Sequence, residues 1–256
     1  MTVSDQKLLP HLPDDEFRKV LCVVAHPDDV EYGTSSAVAR WTSRGVEVAY
    51  LLLTRGEAGM PSSPEETARI RRGEQEEACA RVGVSTLEVL EHPDGVLQPT
   101  LDLRRDIART IRRFQPDVVV TGSWEVEFVA GLNMADHRVA GMACLDAIRD
   151  ADNRWVFPEL LGEGLEPWGA RWFLVSGHTA PTHGVDVSGE PLARGVASLE
   201  AHREYLAAIE GHPEPAVFIP MVAAMGGRAL GVEHAVLFRA YDLKAPRRSF
   251  DEDSAG

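Results

Sequence analysis

The sequence predicts a three-layer α/β sandwich in which helices cover both faces of a mostly parallel sheet. Short runs rich in Val, Leu and Ala alternate along the chain with longer segments of helical periodicity. The short runs are apolar throughout, which is typical of parallel strands that are buried on both faces. Helix-start and helix-stop residues at the ends of the longer segments support the same arrangement.

The predicted elements follow the order strand, helix, strand, helix. Strands are predicted at 19–25, 46–53, 87–90, 117–121 and 172–175, and helices at 35–44, 64–82, 101–114 and 138–149. The helix at 64–82 begins with a proline and ends before Gly83, because proline favours the first position of a helix and glycine favours the position after its end. The last third is less regular, with helices at 192–209 and 216–225 and a strand at 234–241. We therefore predict a Rossmann-like fold, in which ligands bind at the carboxyl ends of the strands.

The length of 256 residues and the distribution of polar segments predict one domain with short extensions. Residues 1–17 are expected to form an N-terminal arm, residues 18–242 the single domain, and residues 243–256 a polar tail. Neither a secretory signal nor an apolar run of roughly 18–20 residues is present, so we expect a cytoplasmic protein. Three separated cysteines, Cys22, Cys79 and Cys144, are predicted to be buried thiols.

The net charge excludes some classes of partner. Lys and Arg number 26 and Asp and Glu number 40, which gives −14 at pH 7. Such a surface repels phosphate backbones and anionic lipids. We therefore expect neither a nucleic acid nor a membrane as partner, and a homo-oligomer is left open.

Four titratable residues follow the first predicted strand: His26, Asp28, Asp29 and Glu31. Pro27 restricts the backbone between them, and we expect His26 and Asp29 to converge on one point with Asp28 beside it. Imidazole nitrogen together with carboxylate oxygen suits zinc. The alternative is an acidic loop that caps the next helix, although a cap needs only one such side chain.

A catalytic zinc site usually has three protein ligands and one open position. Asp136, His137 and Arg138 follow the strand predicted at 117–121, so they lie at the same edge of the sheet as His26. This segment is the expected source of the third ligand. The remaining histidines rank lower, with His178, His183 and His202 as second candidates.

Taken in order, these motifs resemble the PIG-L/LmbE-like family of zinc-dependent N-deacetylases. The resemblance rests on HPDD-x-E at 26–31, TRGE at 54–57, IRR-x-E at 70–74, PDG at 93–95, PDVV at 116–119, DHR at 136–138, VDV at 185–187 and SL-x-AH at 198–202. It implies an enzyme that removes an N-acetyl or other N-acyl group from a small molecule, usually an amino-sugar conjugate. The implied catalytic domain is the one at 18–242.

The resemblance also implies roles for individual residues. The cofactor would be one Zn²⁺ per chain, or another divalent metal. The implied ligands are His26, Asp29 and His137, the general base is Asp28, Asp136 orients a neighbouring imidazole, and Arg71 and Asp94 bind substrate.

The sequence departs from the family at Met134, where relatives commonly have a histidine that stabilises the oxyanion. Methionine cannot donate a hydrogen bond. Asn133, His178, His183 or His202 could replace that donor, or zinc alone could carry the oxyanion. We expect a histidine from 178–183, with His183 ranked above His202, to lie within about 6 Å of the metal and to act as the donor.

Met134 also motivates an alternative function, a metal-binding but catalytically silent regulatory relative. The presence of Asp28 argues against it, because a structural metal site has no use for a neighbouring base. A nucleotide-binding oxidoreductase would need G-x-G-x-x-G after the first strand, where the sequence has a single glycine, Gly33.

Overall fold

The computed structural model describes residues 7–244 and contains one seven-stranded sheet with helices on both faces. The strands are β1 Lys19–Val24, β2 Glu47–Leu52, β3 Thr86–Val89, β4 Val118–Gly122, β5 Glu127–Phe128, β6 Gly131–Leu132, β7 Trp172–Ser176, β8 His183–Asp186 and β9 Ala235–Asp242. The helices are α1 Asp29–Gly33, α2 Ser35–Ser43, α3 Pro64–Val82, α4 Leu101–Phe114, α5 Ala135–Asp152, α6 Glu159–Gly162, α7 Glu190–Glu200, α8 Arg203–Ala208 and α9 Pro215–Leu230. A 3-10 turn at Asp14–Glu16 precedes β1.

The strand order across the sheet is β3-β2-β1-β4-β7-β9-β8. The first five strands in this order are parallel, whereas β9 runs antiparallel to both β7 and β8. β2 and β3 follow β1 in the chain and lie on one side of it in the sheet, whereas β4 lies on the other side of β1. The carboxyl ends of β1 and β4 therefore form a topological switch point, where Rossmann-like folds open a crevice for ligands.

Each buried strand supplies two cores, because successive side chains point to opposite faces of the sheet. Val20, Cys22 and Val24 of β1 pack with α2, α3, α7 and α9. Leu21 and Val23 pack on the other face with α4 and α5. The continuous apolar pattern of the strands reflects this burial on both faces, and the predicted fold class is confirmed.

Several predicted boundaries are wrong in ways that matter for the site. α5 begins at Ala135, three residues before the predicted start at 138, and this places Asp136 and His137 in its first turn. The helix predicted at 192–209 is two helices, because the chain turns at Ala201 and His202 between α7 and α8. The turn-rich segment at 177–183 ends in an unpredicted strand, β8.

The N-terminal segment is more closely packed than an arm. Leu12 and Phe17 are buried in the core, and the Leu12 N–H donates to the Gly184 carbonyl at 2.8 Å. Residues 1–6 of the predicted arm and residues 245–256 of the predicted tail lie outside the described residues. Cys22, Cys79 and Cys144 are free and buried, as predicted.

None of the helices within residues 7–244 combines the length and the hydropathy that crossing a bilayer requires.

A buried arginine ties α4 to the end of α5. Arg112 is 2% exposed, and its guanidinium donates to the carbonyls of Asp150, Ala151, Asn153 and Val156 at 2.8–3.3 Å. These carbonyls lie at or beyond the last turn of α5, where the helix itself offers no donors. Arg112 therefore caps the helix whose first turn carries His137.

We expect Arg112→Met to lower the free energy of unfolding by about 2–3 kcal/mol, because it leaves buried carbonyls without a charged donor. Urea denaturation measures this change. Arg149→Met, the same substitution at an exposed position of α5, is the matched control and should change stability by less than about 0.5 kcal/mol. Equal stability losses in the two variants would contradict the capping role.

Candidate active site

The candidate site lies at the switch point between β1 and β4. His26, Asp28 and Asp29 lie in the loop after β1 and at the start of α1, and Asp136 and His137 lie in the first turn of α5. The structure therefore brings together the two sequence segments that were predicted to meet.

The loop after β1 is shaped by its own hydrogen bonds. The backbone N–H of His26 donates to the Asp29 carboxylate at 2.9 Å, which turns that side chain back toward His26. Between them Asp28 has φ 90° and ψ −22°, in the left-handed region that few residues other than glycine adopt. The turn separates the two aspartates, so that Asp29 faces His26 while Asp28 faces α3.

Donor atoms of three residues, His26, Asp29 and His137, face one another at 3.0–3.6 Å and form a donor triangle in which Asp29 contributes its carboxylate. His26 Nδ1 lies 3.2 Å from His137 Nε2 and 3.6 Å from the Asp29 carboxylate, and His137 Nε2 lies 3.0 Å from the other Asp29 oxygen. Ligands at about 2.0–2.1 Å from a tetrahedral metal are about 3.3 Å apart. The triangle therefore has the size of one face of a tetrahedral zinc site.

In each imidazole, the inner nitrogen faces the triangle, and the outer nitrogen points away from it and contacts a protein acceptor. His26 Nε2 lies 3.0 Å from Asp94 Oδ1 and 3.3 Å from Asp136 Oδ2. His137 Nδ1 lies 3.2 Å from Asn133 Oδ1. With these outer nitrogens as donors, the inner nitrogens of both rings are the ones left to bind a proton or a metal.

The charges around the triangle favour an added cation. Burial is the largest effect on His26 and acts to lower its pKa, but Asp29 and hydrogen bonds to Asp136, Asp29 and Asp94 outweigh it and raise the pKa to about 12. Burial likewise opposes ionisation of Asp29, yet the facing His137 and His26 hold its pKa well below the usual range. A site that binds a proton this firmly is electrostatically suited to a divalent metal.

A second group of close donors, His26, Asp94 and Asp136, is a hydrogen-bond network. Asp94 accepts from the Ala58 N–H at 2.7 Å, and Asp136 accepts from the N–H groups of Gly95 at 2.7 Å and Leu97 at 3.1 Å. Both carboxylates are thus engaged by N–H donors. They orient the His26 ring toward the triangle.

Asp28 lies beside the triangle and is bound to other partners. Its carboxylate is 3.0 Å from the Arg71 guanidinium, and both side chains are about 95% buried. The Tyr205 ring covers that guanidinium at 3.9 Å. Burial is the largest effect on Asp28 and raises its pKa, although the Arg71 charge acts in the opposite direction. Asp28 is therefore a buried carboxylate beside the donor triangle and outside it.

The prediction for His183 is wrong in position. His183 begins β8, which is four strands away from β1 in the sheet, or roughly 19 Å at about 4.8 Å per strand. Its ring packs against Trp172 and its Nδ1 lies 3.0 Å from the Thr182 hydroxyl. His183 cannot reach the site, because β8 is the edge strand of the sheet and pairs with β9.

The other two candidate histidines have contacts of their own. His178 lies 3.6 Å from Glu125, and its Nδ1 accepts from the Ala180 N–H at 2.9 Å. His202 precedes α8, is completely buried, and lies 3.8 Å from Glu31. Among the described contacts, neither touches the triangle.

Arg71 and Asp94 lie at the site but face protein groups. The Arg71 guanidinium donates to the Pro27 carbonyl and pairs with Asp28. Both Asp94 oxygens have protein donors, among them His26 and the Ala58 N–H. The structure thus supports positioning roles for both residues, and their contact with substrate stays a prediction.

Sequence reasoning missed two residues of the site. Asn133 was considered only as an oxyanion donor, but its Nδ2 donates to the carbonyls of Ser123 at 2.6 Å and Glu125 at 3.0 Å while its Oδ1 faces His137. Its spacing of four residues before His137 was the available signal. Gln75, one turn after Arg71 in α3, accepts from the Asp28 N–H at 2.9 Å and was also missed.

Comparison with protein families matches residues 21–148, half of the chain, to the family described as "PIG-L: GlcNAc-PI de-N-acetylase". The matched stretch includes His26, Asp28, Asp29 and His137.

Characterised relatives and a solved structure are also similar. Diacetylchitobiose deacetylase of Thermococcus kodakarensis is 33% identical over 140 residues, which are 53% of this chain and 51% of that enzyme. 1D-myo-inositol 2-acetamido-2-deoxy-alpha-D-glucopyranoside deacetylase of Kineococcus radiotolerans is 40% identical over 88 residues, 32% of this chain and 24% of that enzyme. The chain thus spans about half, or less, of these relatives. The structure of N,N'-diacetylchitobiose deacetylase from Pyrococcus horikoshii superimposes with a TM-score of 0.81, 25% identity, and coverage of 90% of this chain and 86% of that one.

We expect Asn133→Ala to weaken binding of zinc by about 10–100-fold, because His137 loses the acceptor that fixes its ring. Competition with a chromogenic chelator measures the affinity. Gln98→Ala, an exposed amide on the loop before α4, is the matched control and should leave the affinity unchanged. Unaltered zinc affinity in Asn133→Ala would show that the His137 orientation is set elsewhere.

Proposed function

The chain belongs to the PIG-L family, and from this premise we propose that it is a metal-dependent hydrolase that removes an N-acetyl or other N-acyl group from an amino-sugar conjugate. The observation that carries the proposal is the donor triangle of His26, Asp29 and His137 with the buried carboxylate of Asp28 beside it. The names of the relatives from Thermococcus, Kineococcus and Pyrococcus support the same reaction and the same class of substrate.

We assign the metal to His26 Nδ1, His137 Nε2 and the Asp29 carboxylate. One imidazole pair and one carboxylate form a ligand set that zinc accepts, with a position left open for water or substrate. When bound, the metal supplies Lewis acidity, which polarises the amide carbonyl and lets water attack near neutral pH.

Asp28 is proposed to be the general base. It accepts a proton from the attacking water as the new C–O bond to the amide carbon forms. When the C–N bond breaks, the same carboxyl delivers that proton to the leaving nitrogen. The products are the acid of the acyl group, whose remaining proton passes to solvent at neutral pH, and the free amine of the sugar. Arg71 orients the Asp28 carboxylate through the 3.0 Å ion pair.

A second candidate function, a silent metal-binding relative, is motivated by Met134. This residue precedes α5, is 57% exposed, and has no group that could stabilise an oxyanion. Such a relative would bind zinc and release no acyl group.

Zinc-loaded protein is expected to release acetate from at least one member of a panel of N-acetylated amino sugars that includes N,N'-diacetylchitobiose. Acetate is measured by a coupled assay before chelation, after chelation and after zinc is restored. Asp28→Asn should keep its zinc and lower kcat by about 10²–10⁴-fold, because the proton acceptor is lost.

Asp102→Asn, the same change on the exposed face of α4, is the matched control and should behave as the wild type. Bound zinc without acetate release across the panel would favour the silent relative. Full activity in Asp28→Asn would remove the role of base.

We expect Met134→His to raise kcat by about tenfold or more, because it adds a hydrogen-bond donor three residues before His137. Steady-state kinetics on the best substrate of the panel measures the change. Met142→His, at another exposed position of α5, is the control and should leave kcat unchanged. If Met134→His gains nothing, the oxyanion already has a donor other than the residue at this position.

A further inference from the structure

The backbone of Asp28 has a conformation that its surroundings must maintain. A φ of 90° is unfavourable for a residue with a side chain. The other non-glycine residues with positive φ among those described are Gln115 and Phe157. Gln115 ends α4, where this conformation is common, whereas Asp28 lies in the middle of the site.

Hydrogen bonds hold the Asp28 backbone from two directions. Its carbonyl accepts from the N–H groups of Glu31 at 2.9 Å and Tyr32 at 3.3 Å, which form the first turn of α1. Its own N–H donates to Oε1 of Gln75, 47 residues away in α3, at 2.9 Å. Gln75 therefore holds the N–H end of the peptide before Asp28, and the Arg71 guanidinium, which donates to the Pro27 carbonyl, holds the other end.

The Gln75 amide is itself oriented. Its Nε2 donates to Oε1 of Glu31 at 3.2 Å, and Ser198 donates to the same oxygen at 3.2 Å. The Asp28 N–H can only donate, so it requires the amide oxygen of Gln75, and the amide nitrogen then faces Glu31. Gln75 and Ser198 have no exposed surface and Glu31 is 1% exposed, so water does not compete for these bonds.

We propose that Gln75 is a positioning residue for Asp28, and that Glu31 and Ser198 fix the Gln75 amide for this purpose. The chain of hydrogen bonds holds the Asp28 backbone in its left-handed conformation and thereby holds the carboxylate beside the donor triangle. This inference rests on the proposed function, because it takes Asp28 as the base.

The metal ligands are held by different contacts. His26 is oriented by Asp94 and Asp136, and the Asp29 carboxylate accepts from the His26 N–H at 2.9 Å. The contacts of Gln75 involve Asp28, Glu31 and Cys79. Loss of the Gln75 amide should therefore release Asp28 while zinc stays bound.

Arg71 does not replace this function. It binds the Asp28 carboxylate and the Pro27 carbonyl, whereas Gln75 binds the Asp28 N–H. The Pro27 carbonyl and the Asp28 N–H are the two ends of one peptide, so Arg71 holds its carbonyl end and Gln75 holds its N–H end. Without Gln75 the buried N–H has no acceptor, and a rotation of the peptide toward another acceptor would carry the Asp28 carboxylate with it.

A double-mutant cycle tests the proposal. In the wild-type background, Gln75→Met, which keeps the length and volume of the side chain, should lower kcat by about 10–100-fold because the base is displaced. KM and zinc content should change by less than about twofold, since uniform binding is untouched. In the Asp28→Asn background, Gln75→Met should cause no further loss, because the group it positions is absent.

A loss of the same factor in both backgrounds would overturn the proposal, because it would mean that Gln75 supports the fold or the metal site instead. Gln75→Asn, whose amide is one methylene short of the Asp28 N–H, is the second variant and should repeat the pattern if Gln75→Met does not fold. Gln98→Met, on an exposed loop, is the matched control.

Crystal structures of zinc-loaded wild type and Gln75→Met give a readout without turnover. The Asp28 φ should leave the left-handed region in the variant while His26, Asp29 and His137 keep their positions. An unchanged Asp28 conformation would overturn the proposal. A wild type that hydrolyses nothing in the panel would remove the proposed function, and this comparison would still decide whether Gln75 sets the Asp28 backbone.

Discussion

The site depends on two imidazole nitrogens that face each other at 3.2 Å, His26 Nδ1 and His137 Nε2. With their outer nitrogens donating to protein acceptors, both inner nitrogens are left to bind a proton or a metal. Two lone pairs this close repel unless a positive charge lies between them. The Asp29 carboxylate, 3.0 Å from His137, completes a pocket for that charge. The hydrogen bonds around the site serve to keep this arrangement from relaxing.

The topology of the sheet brings His26 and His137 together. β1 and β4 are neighbours and parallel, so their carboxyl ends meet, and α1 and α5 begin there. Each helix then carries ligands in or beside its first turn. Asp136 uses that position twice, because it accepts from backbone N–H groups of Gly95 and Leu97 and also holds His26. A single buried carboxylate thus joins the loop at 95–97 to the orientation of His26, in the loop after β1.

The sequence was sufficient for the fold class and for the two segments that meet, because apolar strands and strand-end polar residues are local patterns. The break between α7 and α8 was missed, since it depends on burial of His202, which a helical periodicity does not reveal. β8 was missed because four residues pairing with β9 leave no separate signal. The position of His183 follows from that pairing and could not be predicted from its neighbours. The resemblance implies that Arg71 binds substrate, whereas its pairing with Asp28, 43 positions away in sequence, is visible only in the folded chain.

The residues on the two sides of the donor triangle differ in polarity and in burial. On the side of Asp28, Arg71, Gln75 and Tyr205 form a buried and polar surrounding in which each contact has a defined direction. On the side of His137, the segment before α5 exposes apolar side chains, with Val129 67%, Leu132 78% and Met134 57% exposed. Asn133 is the polar exception there, and its amide is used to hold the segment and His137. The side of Asp28 therefore has groups that can transfer a proton, whereas the side of His137 offers mainly an apolar surface. Under the proposed function, this arrangement leaves proton transfer to Asp28 and the stabilisation of charge on the carbonyl oxygen to a cation bound by the triangle.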